Sequence, residues 1–294
     1  MPTTRKPFDF RWKPPYPSRH QEGKPLMTIA IGFRCPEGIV LCTDRQITDY
    51  GSNYKYSEQK IYPIVGRNWC VACAYAGYRN IMKAVQTKFE RRLNSETNPN
   101  LDFIENCLTG ILAEVKKVNR KQVESQQMFC AMSAPEGERL LQFQADLASE
   151  VSNGQWEVLG AGDSSLIRYL IDVTGVRRAR MSASQALLIG FYMVSKANTY
   201  IPGCKDGPDL AFVRRGGCET SSQLDRSYYA LPEVSEQDLA DTILALTQCF
   251  DFKGERLTFA LQTILDKSPR LRDWMRKVVG RMLPTMPQTD EQKG

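Results

Sequence analysis

Thr28, Asp44 and Lys60 are the residues best spaced to do chemistry together. Thr28 opens a run of period two, Thr28-Ile-Ala-Ile-Gly-Phe-Arg34, and Gly38-Ile-Val-Leu-Cys-Thr43 follows after Cys35-Pro36-Glu37. The pattern predicts a β-hairpin. With Pro36 at the turn centre, Thr28 faces Asp44, and directly opposed Cβ atoms lie about 5 Å apart. Lys60 opens the next predicted strand. A hydroxyl, a carboxylate and an ammonium then share one sheet end. Lysine beside a hydroxyl favours its ionised form, and aspartate keeps that lysine charged and oriented. This is the makeup of an activated nucleophile. It depends on register, since a slip of one residue turns Thr28 to the other face.

The single histidine, His20, narrows the chemistry further. It stands in a proline-rich N-terminal stretch, which argues against a Ser-His-Asp triad, a Cys-His dyad or a His-ligated metal in the body. Catalysis falls to Thr, Ser, Cys, Lys, Asp, Glu or a chain-terminal amine, and neither a metal nor a cofactor is expected. Cys70-x-x-Cys73 lies in an apolar strand whose alternate positions face opposite ways, so it reads as core and not as a zinc or redox pair. Ser52-x-x-Lys55 has a serine-acylase spacing but sits in a Gly-Ser-Asn loop, where that motif should open a helix. Gly160-x-Gly162-Asp163 before a helix suits an anion. Without Gly-Lys-Ser/Thr it is no P-loop.

The elements that must position these groups follow from periodicity. Apolar residues make up 42% of the 294 and charged residues 24%, which is a globular composition and not a disordered one. Residues 1–27 carry six of sixteen prolines and six basic residues against Asp9 and Glu22, so most of the net charge of +6 lies there. With Phe8, Phe10, Trp12 and Tyr16 interleaved, this stretch has the composition of a nucleic-acid grip. A propeptide or surface tail is the favoured reading, and nucleic acid is disfavoured as a partner. Lys60–Val65 and Trp69–Ala76 read as a second strand pair. A helix follows with Ile81, Ala84, Val85, Phe89 and Leu93 on one face. A second helix runs from Leu101 to Val123 after an Asn-Pro-Asn start signal. Strands return at Met128–Ser133, Arg139–Gln144 and Gln155–Leu159, with helices over Ser164–Asp172 and Ser182–Thr199 and a strand at Asp209–Arg214. The stretch Ser235–Met282 reads as helical, with Arg270, Arg272, Arg276, Lys277 and Arg281 opposite an apolar stripe. That pattern reads as a docked terminal helix and not a membrane-surface helix. No apolar run is long enough to span a bilayer. No apolar segment opens the chain as an export signal, and the nine cysteines read as reduced thiols of a cytoplasmic protein.

Paired strands and paired helices predict an α+β fold, a four-layer αββα sandwich of two antiparallel sheets with extra C-terminal helices. The expected division is 1–27 as an extension or propeptide, 28–220 as the central domain and 221–294 as a helical extension.

Met27-Thr-Ile-Ala-Ile-Gly, Gly38-Ile-Val-Leu-Cys-Thr-Asp44-Arg-Gln-Ile-Thr48 and Lys60-Ile resemble the N-terminal region of proteasome β-type subunits and their bacterial relatives. Asp44-x-Gln-x-Thr48 is similar to the HslV-type version. The Met-Thr start is similar to other bacterial homologues. Val71–Gly77 resembles the family's apolar strand ending in Ala-Gly, Gly160-Ala-Gly162 its Gly-Ser-Gly turn, and 186–209 its late helix, turn and strand. The likeness covers about residues 27–215.

The resemblance implies an N-terminal-nucleophile hydrolase. Thr28 would be the nucleophile, with Asp44 and Lys60 as partners and the amine of Thr28 as general base. Thr48 would contact an extended peptide, and Gly77 would give an N–H to the oxyanion. It further implies peptide or unfolded-protein substrates, homo-oligomeric rings and an ATPase unfoldase as partner. Removal of residues 1–27, by autocleavage or by a start at Met27, would expose the amine. Two departures stand out. Ala161 replaces the family serine, with Asp163 or Ser164 as substitutes. The segment Ile201-Pro-Gly-Cys204-Lys-Asp206-Gly lacks the family's Asp-x-x-Ser, leaving Asp206 or Cys204 for that role. A non-catalytic scaffold subunit and an amidase with a non-protein substrate are the alternative readings.

Overall fold

The computed structural model describes residues 28–48, 55–160, 167–168, 181–201 and 203–220. The N-terminal extension, the expected C-terminal helices and most of the helix expected over 164–172 lie outside the described residues, as do Ala161, Asp163 and Ser164.

The chain begins with β1 (Ile29–Cys35) and β2 (Gly38–Asp44), the expected hairpin. Its register differs by one residue from expectation. Cys35 pairs with Gly38 and Ala30 with Thr43, so Asp44 comes level with Ile29 and not Thr28. The reason is a two-residue turn, Pro36-Glu37, in place of a turn centred on Pro36. Gly38 permits it: its φ is +145°, and a Cβ there would stand 2.4 Å from the Val213 carbonyl.

Short strands β3 (Gln46–Thr48) and β4 (Lys55–Ser57) pair with each other. Then come β5 (Ile61–Val65), β6 (Cys70–Ala76), α1 (Arg79–Asn94), α2 (Leu101–Val118) and α3 (Arg120–Glu124). Asn100 caps α2 through its side chain, accepting the Phe103 N–H at 2.7 Å. The helix expected to run unbroken to Val123 is interrupted at Asn119, where the backbone leaves helical geometry. On α1, Ala84 is exposed and Met82 takes its place on the buried face. The remaining elements are β7 (Gln127–Ala134), β8 (Gly137–Gln144), β9 (Leu147–Glu150), β10 (Trp156–Gly160), α4 (Ala183–Tyr200), β11 (Pro208–Arg214) and β12 (Gly217–Thr220).

Two five-stranded antiparallel sheets result. Sheet one has the order β10-β1-β2-β11-β12, and sheet two β5-β6-β7-β8-β9. Their facing sides share a core of Ala30, Ile39, Leu41 and Ala211 from sheet one with Cys70, Ala72, Phe129 and Leu140 from sheet two. Alternate residues of β6 point away from that core: Val71, Cys73 and Tyr75 pack with Ile81, Val85 and Phe89 of α1 and with Leu108 and Ile111 of α2. Cys70 and Cys73 thus belong to different cores, as their spacing predicted. Because β6 is buried on both faces, its sequence is one continuous apolar run. Helix α4 lies on β1, β2 and β11, with Gly190 against Cys42 and Phe33. Arg34 of β1 ties the sheets at one end, reaching Glu150, the Val151 carbonyl at 3.1 Å and the Glu138 carbonyl at 3.0 Å. The fold is mixed α+β on antiparallel sheets. No helix among the described residues is long and apolar enough to cross a membrane.

Candidate active site

Thr28, Asp44 and Lys60 meet where the two sheets face each other, although they come from three different strand ends. Thr28 immediately precedes β1, Asp44 closes β2 and Lys60 immediately precedes β5. Lys60 bridges the other two. Its Nζ donates to Thr28 Oγ1 at 2.8 Å and to Asp44 Oδ2 at 2.8 Å. The one-residue register difference therefore does not separate them, because the long lysine side chain spans the gap. Lys60 and Asp44 are fully buried and Thr28 is 8% exposed.

Asp44 is held by backbone donors at the starts of β1 and β3. Oδ1 accepts the Ile29 N–H at 3.0 Å and Oδ2 the Gln46 N–H at 3.1 Å. Its carboxylate thus has backbone donors as well as the ammonium. Burial is still the largest influence on both charges. It raises the pKa of Asp44, opposed by Lys60 and the two N–H donors. It lowers that of Lys60, opposed by Asp44 above all and then by Cys204 and Asp209. An ammonium below its ordinary pKa is a strong hydrogen-bond donor to an oxygen that gains negative charge.

The wall beside this line comes from the loop before β11. Lys205 accepts the Arg45 N–H at 3.2 Å through its carbonyl, fastening the loop to the end of β2. Cys204 is buried there, and burial pushes its thiol up to about 12. It is a neutral thiol and not a second nucleophile. Asp206 is an exposed turn residue with φ +66°. Three residues on, Asp209 of β11 is fully buried, and its Oδ2 accepts the N–H groups of Lys60 at 3.0 Å and Ile61 at 3.1 Å. Sequence reasoning stopped at Asp206. The available signal was Asp209 itself, a lone carboxylate opening an otherwise apolar strand.

Glycines make the close approaches on the opposite side. Gly160 of β10 pairs with Ile29, has φ +102°, and donates its N–H to Gln127 Oε1 at 2.8 Å. A Cβ on it would lie 1.7 Å from the Thr28 carbonyl and 3.4 Å from Ala76 Cβ. Gly77 follows Ala76 with φ +143°, and a Cβ there would lie 2.0 Å from Gln126 Oε1. Gln126 is buried and donates to the Tyr78 carbonyl at 3.0 Å. The two glutamines had no sequence signal, since they look like polar residues ahead of an apolar strand. Thr48 ends β3, and Asp163 lies outside the described residues. Gly160→Ala is expected to displace the Thr28 carbonyl and to cost about 1–3 kcal/mol, since it adds both a clash and left-handed strain. Urea denaturation checks this, and a stability equal to wild type would count against the close approach.

The arrangement holds a nearly buried hydroxyl against an ammonium, with that ammonium anchored by a carboxylate. Such a site lowers the cost of negative charge on Thr28 Oγ1.

No family model matches the sequence, and no curated protein matches it. Solved structures do. A Gly-1 mutant of Anbu from Hyphomicrobium sp. strain MC1 is 17% identical, with a TM-score of 0.58, over 78% of this chain and 98% of that one. Anbu from Yersinia bercovieri, described as an ancestral beta-subunit, is 12% identical with a TM-score of 0.59, over 77% and 98%. The helical assembly of the Anbu complex from Pseudomonas aeruginosa is 13% identical with a TM-score of 0.54, over 77% and 98%. At these identities the likeness shows a proteasome-related fold. It also corrects the HslV-type reading of Asp44-x-Gln-x-Thr48, because the neighbours are Anbu proteins. The motif runs from the end of β2 into β3, with its carboxylate fixed by the N–H groups of Ile29 and Gln46, and so short a segment does not separate one branch from another.

Proposed function

We propose that this chain is a proteasome-like subunit that hydrolyses peptide bonds through Thr28, once Thr28 bears a free α-amine. The buried line from Thr28 Oγ1 through Lys60 Nζ to Asp44 Oδ2 carries the reading. The four-layer αββα sandwich expected from the paired strands and paired helices is part of this reading, with the paired sheets in the middle and α1, α2 and α4 outside. Residues 1–27 are read as an extension removed from the working form, and 221–294 as an addition to the central domain.

The α-amine has an unperturbed pKa near 8, so it accepts a proton at cellular pH without a histidine. It takes the proton of Thr28 Oγ1 as that oxygen attacks the substrate carbonyl carbon. Lys60 stabilises the charge on Oγ1, and the Gly77 N–H receives the oxyanion. The amine then passes its proton to the leaving nitrogen as the peptide bond breaks, leaving an ester on Thr28. Water, deprotonated by the same amine, hydrolyses the ester. Lys60 must be charged throughout, so activity falls on the alkaline side at a pH below the ordinary lysine value, and on the acid side as the amine protonates.

A second reading has its own observation. The intact stretch 1–27 ahead of Thr28 and Ala161 in place of the family serine together suit a non-catalytic scaffold subunit. Self-assembly belongs to both readings, supported by the helical assembly of the Pseudomonas aeruginosa protein. The cysteine pattern supports a cytoplasmic setting.

The test compares the full chain with one begun at Met27, using fluorogenic peptides, with the intact mass of each measured. The chain whose mass begins at Thr28 is expected to cleave them, with a bell-shaped pH profile. A folded Thr28-amine chain that releases no fluorophore across a peptide panel overturns the peptidase reading and leaves the scaffold.

A further inference from the structure

We propose that Asp209 is the positioning residue of Lys60: its carboxylate ties the backbone of Lys60 to sheet one and so aims the ammonium at Thr28 and Asp44. The catalytic meaning of this assignment rests on the peptidase reading above. Its structural basis does not.

Strand β5 is the edge of sheet two among the described residues, paired there with β6. The N–H of Lys60, just before that strand, and the N–H of its first residue, Ile61, both go to Asp209 Oδ2 of the opposite sheet. A buried strand end needs its donors met. A neutral oxygen would serve, and burying a carboxylate for that purpose alone is costly. The charge has a second use. The Lys60 ammonium faces Asp44 from β2, Thr28 before β1, Cys204 from the loop before β11 and Asp209 from β11. Asp44 binds the ammonium directly. Asp209 holds the backbone behind it and adds a negative charge that opposes the loss of the proton through burial. A buried hinge of two charge-assisted bonds fixes where the lysine chain starts, and Thr28 and Asp44 fix where it ends.

Two substitutions separate these effects. Asp209→Asn keeps a carbonyl oxygen for both N–H groups and removes the charge. Asp209→Val keeps the bulk and removes the acceptors. In the Thr28-amine chain, Asp209→Asn is expected to move the alkaline limb of the kcat profile to lower pH. Asp209→Val is expected to lower kcat about 10²-fold with KM nearly constant, the signature of a misplaced reacting group. A readout independent of turnover uses 13Cε-lysine NMR of the folded chain, with the Lys60 resonance assigned by its loss in Lys60→Arg. That resonance is expected to titrate at lower pH in Asp209→Asn than in wild type. If Asp209→Val fails to fold, this titration decides. If wild type hydrolyses no peptide, the peptidase reading falls while the titration still judges Asp209. A folded Asp209→Val chain with wild-type kcat, or a Lys60 titration identical in Asp209→Asn and wild type, overturns the proposal and leaves Asp209 a strand fastener.

Discussion

Thr28→Ala is expected to lower peptide hydrolysis by about 10³-fold or more in the Thr28-amine chain. The substitution removes the oxygen that accepts the Lys60 hydrogen bond and leaves the rest of the site intact. Thr28 is 8% exposed and lies outside the strand ladder proper, so the fold is expected to persist. Circular dichroism and sedimentation should match wild type. Thr28→Ser, which keeps the hydroxyl, is expected to retain most of the activity. Equal rates in wild type and Thr28→Ala would assign the hydrolysis to a contaminant or another residue.

Lys60→Met is expected to affect stability as strongly as activity. Asp44 is fully buried, and removing its cation leaves a carboxylate with only the N–H groups of Ile29 and Gln46. Breaking a buried pair from one side costs about 3–5 kcal/mol. Burial already raises the folded-state pKa of Asp44 above its unfolded value. The native state therefore holds this proton at pH values where the unfolded chain has released it. Stability is gained as pH falls through the folded pKa. The penalty of Lys60→Met is thus expected at neutral pH and should shrink toward acid, where Asp44 becomes neutral. Asp44→Asn in the same chain is expected to recover much of the loss, since no charge then remains unpaired. Urea titrations of the two single variants and the double variant at neutral and acid pH measure this. A Lys60→Met penalty that does not vary with pH would sink the argument. Hydrolysis in Lys60→Met is expected to fall about 10²–10³-fold, the scale for removing one preorganised donor from a developing oxyanion.

The elements legible in the sequence were those with strong periodicity. The alternation of β1 and β2, the buried run of β6 and the i, i+4 spacing of α1 are each imposed by a neighbour that buries one face or both. Strand β9 was illegible because all four of its residues are exposed, so nothing selects an alternating pattern. The break between α2 and α3 at Asn119 was hidden because the apolar spacing carries through it to Val123, which is buried. In the site, Thr28, Asp44 and Lys60 were legible as residue types at strand ends. Their geometry was not, since the register turned on whether the hairpin used one or two turn residues. Lysine reach then made the difference immaterial. Asp209, Gln126 and Gln127 were missed for another reason: each acts on a backbone N–H or carbonyl brought near by pairing between strands distant in sequence.

The small residues between the two sheets bear on the site in a way that stability alone would not reveal. Asp44 and Asp209 belong to sheet one and Lys60 leads into sheet two, so every bond between them spans the gap that Ala30, Ala72, Ala131 and Ala211 keep narrow. The hydrogen bonds at the site therefore act as a gauge of sheet separation. Hydrophobic packing tolerates a shift of a few tenths of an ångström with little loss, whereas a charged hydrogen bond at 2.8 Å does not. Enlarging an alanine deep in this layer is expected to shift the line from Thr28 through Lys60 to Asp44 from a distance. The packing of the interior thus sets a tolerance for the chemistry at its edge.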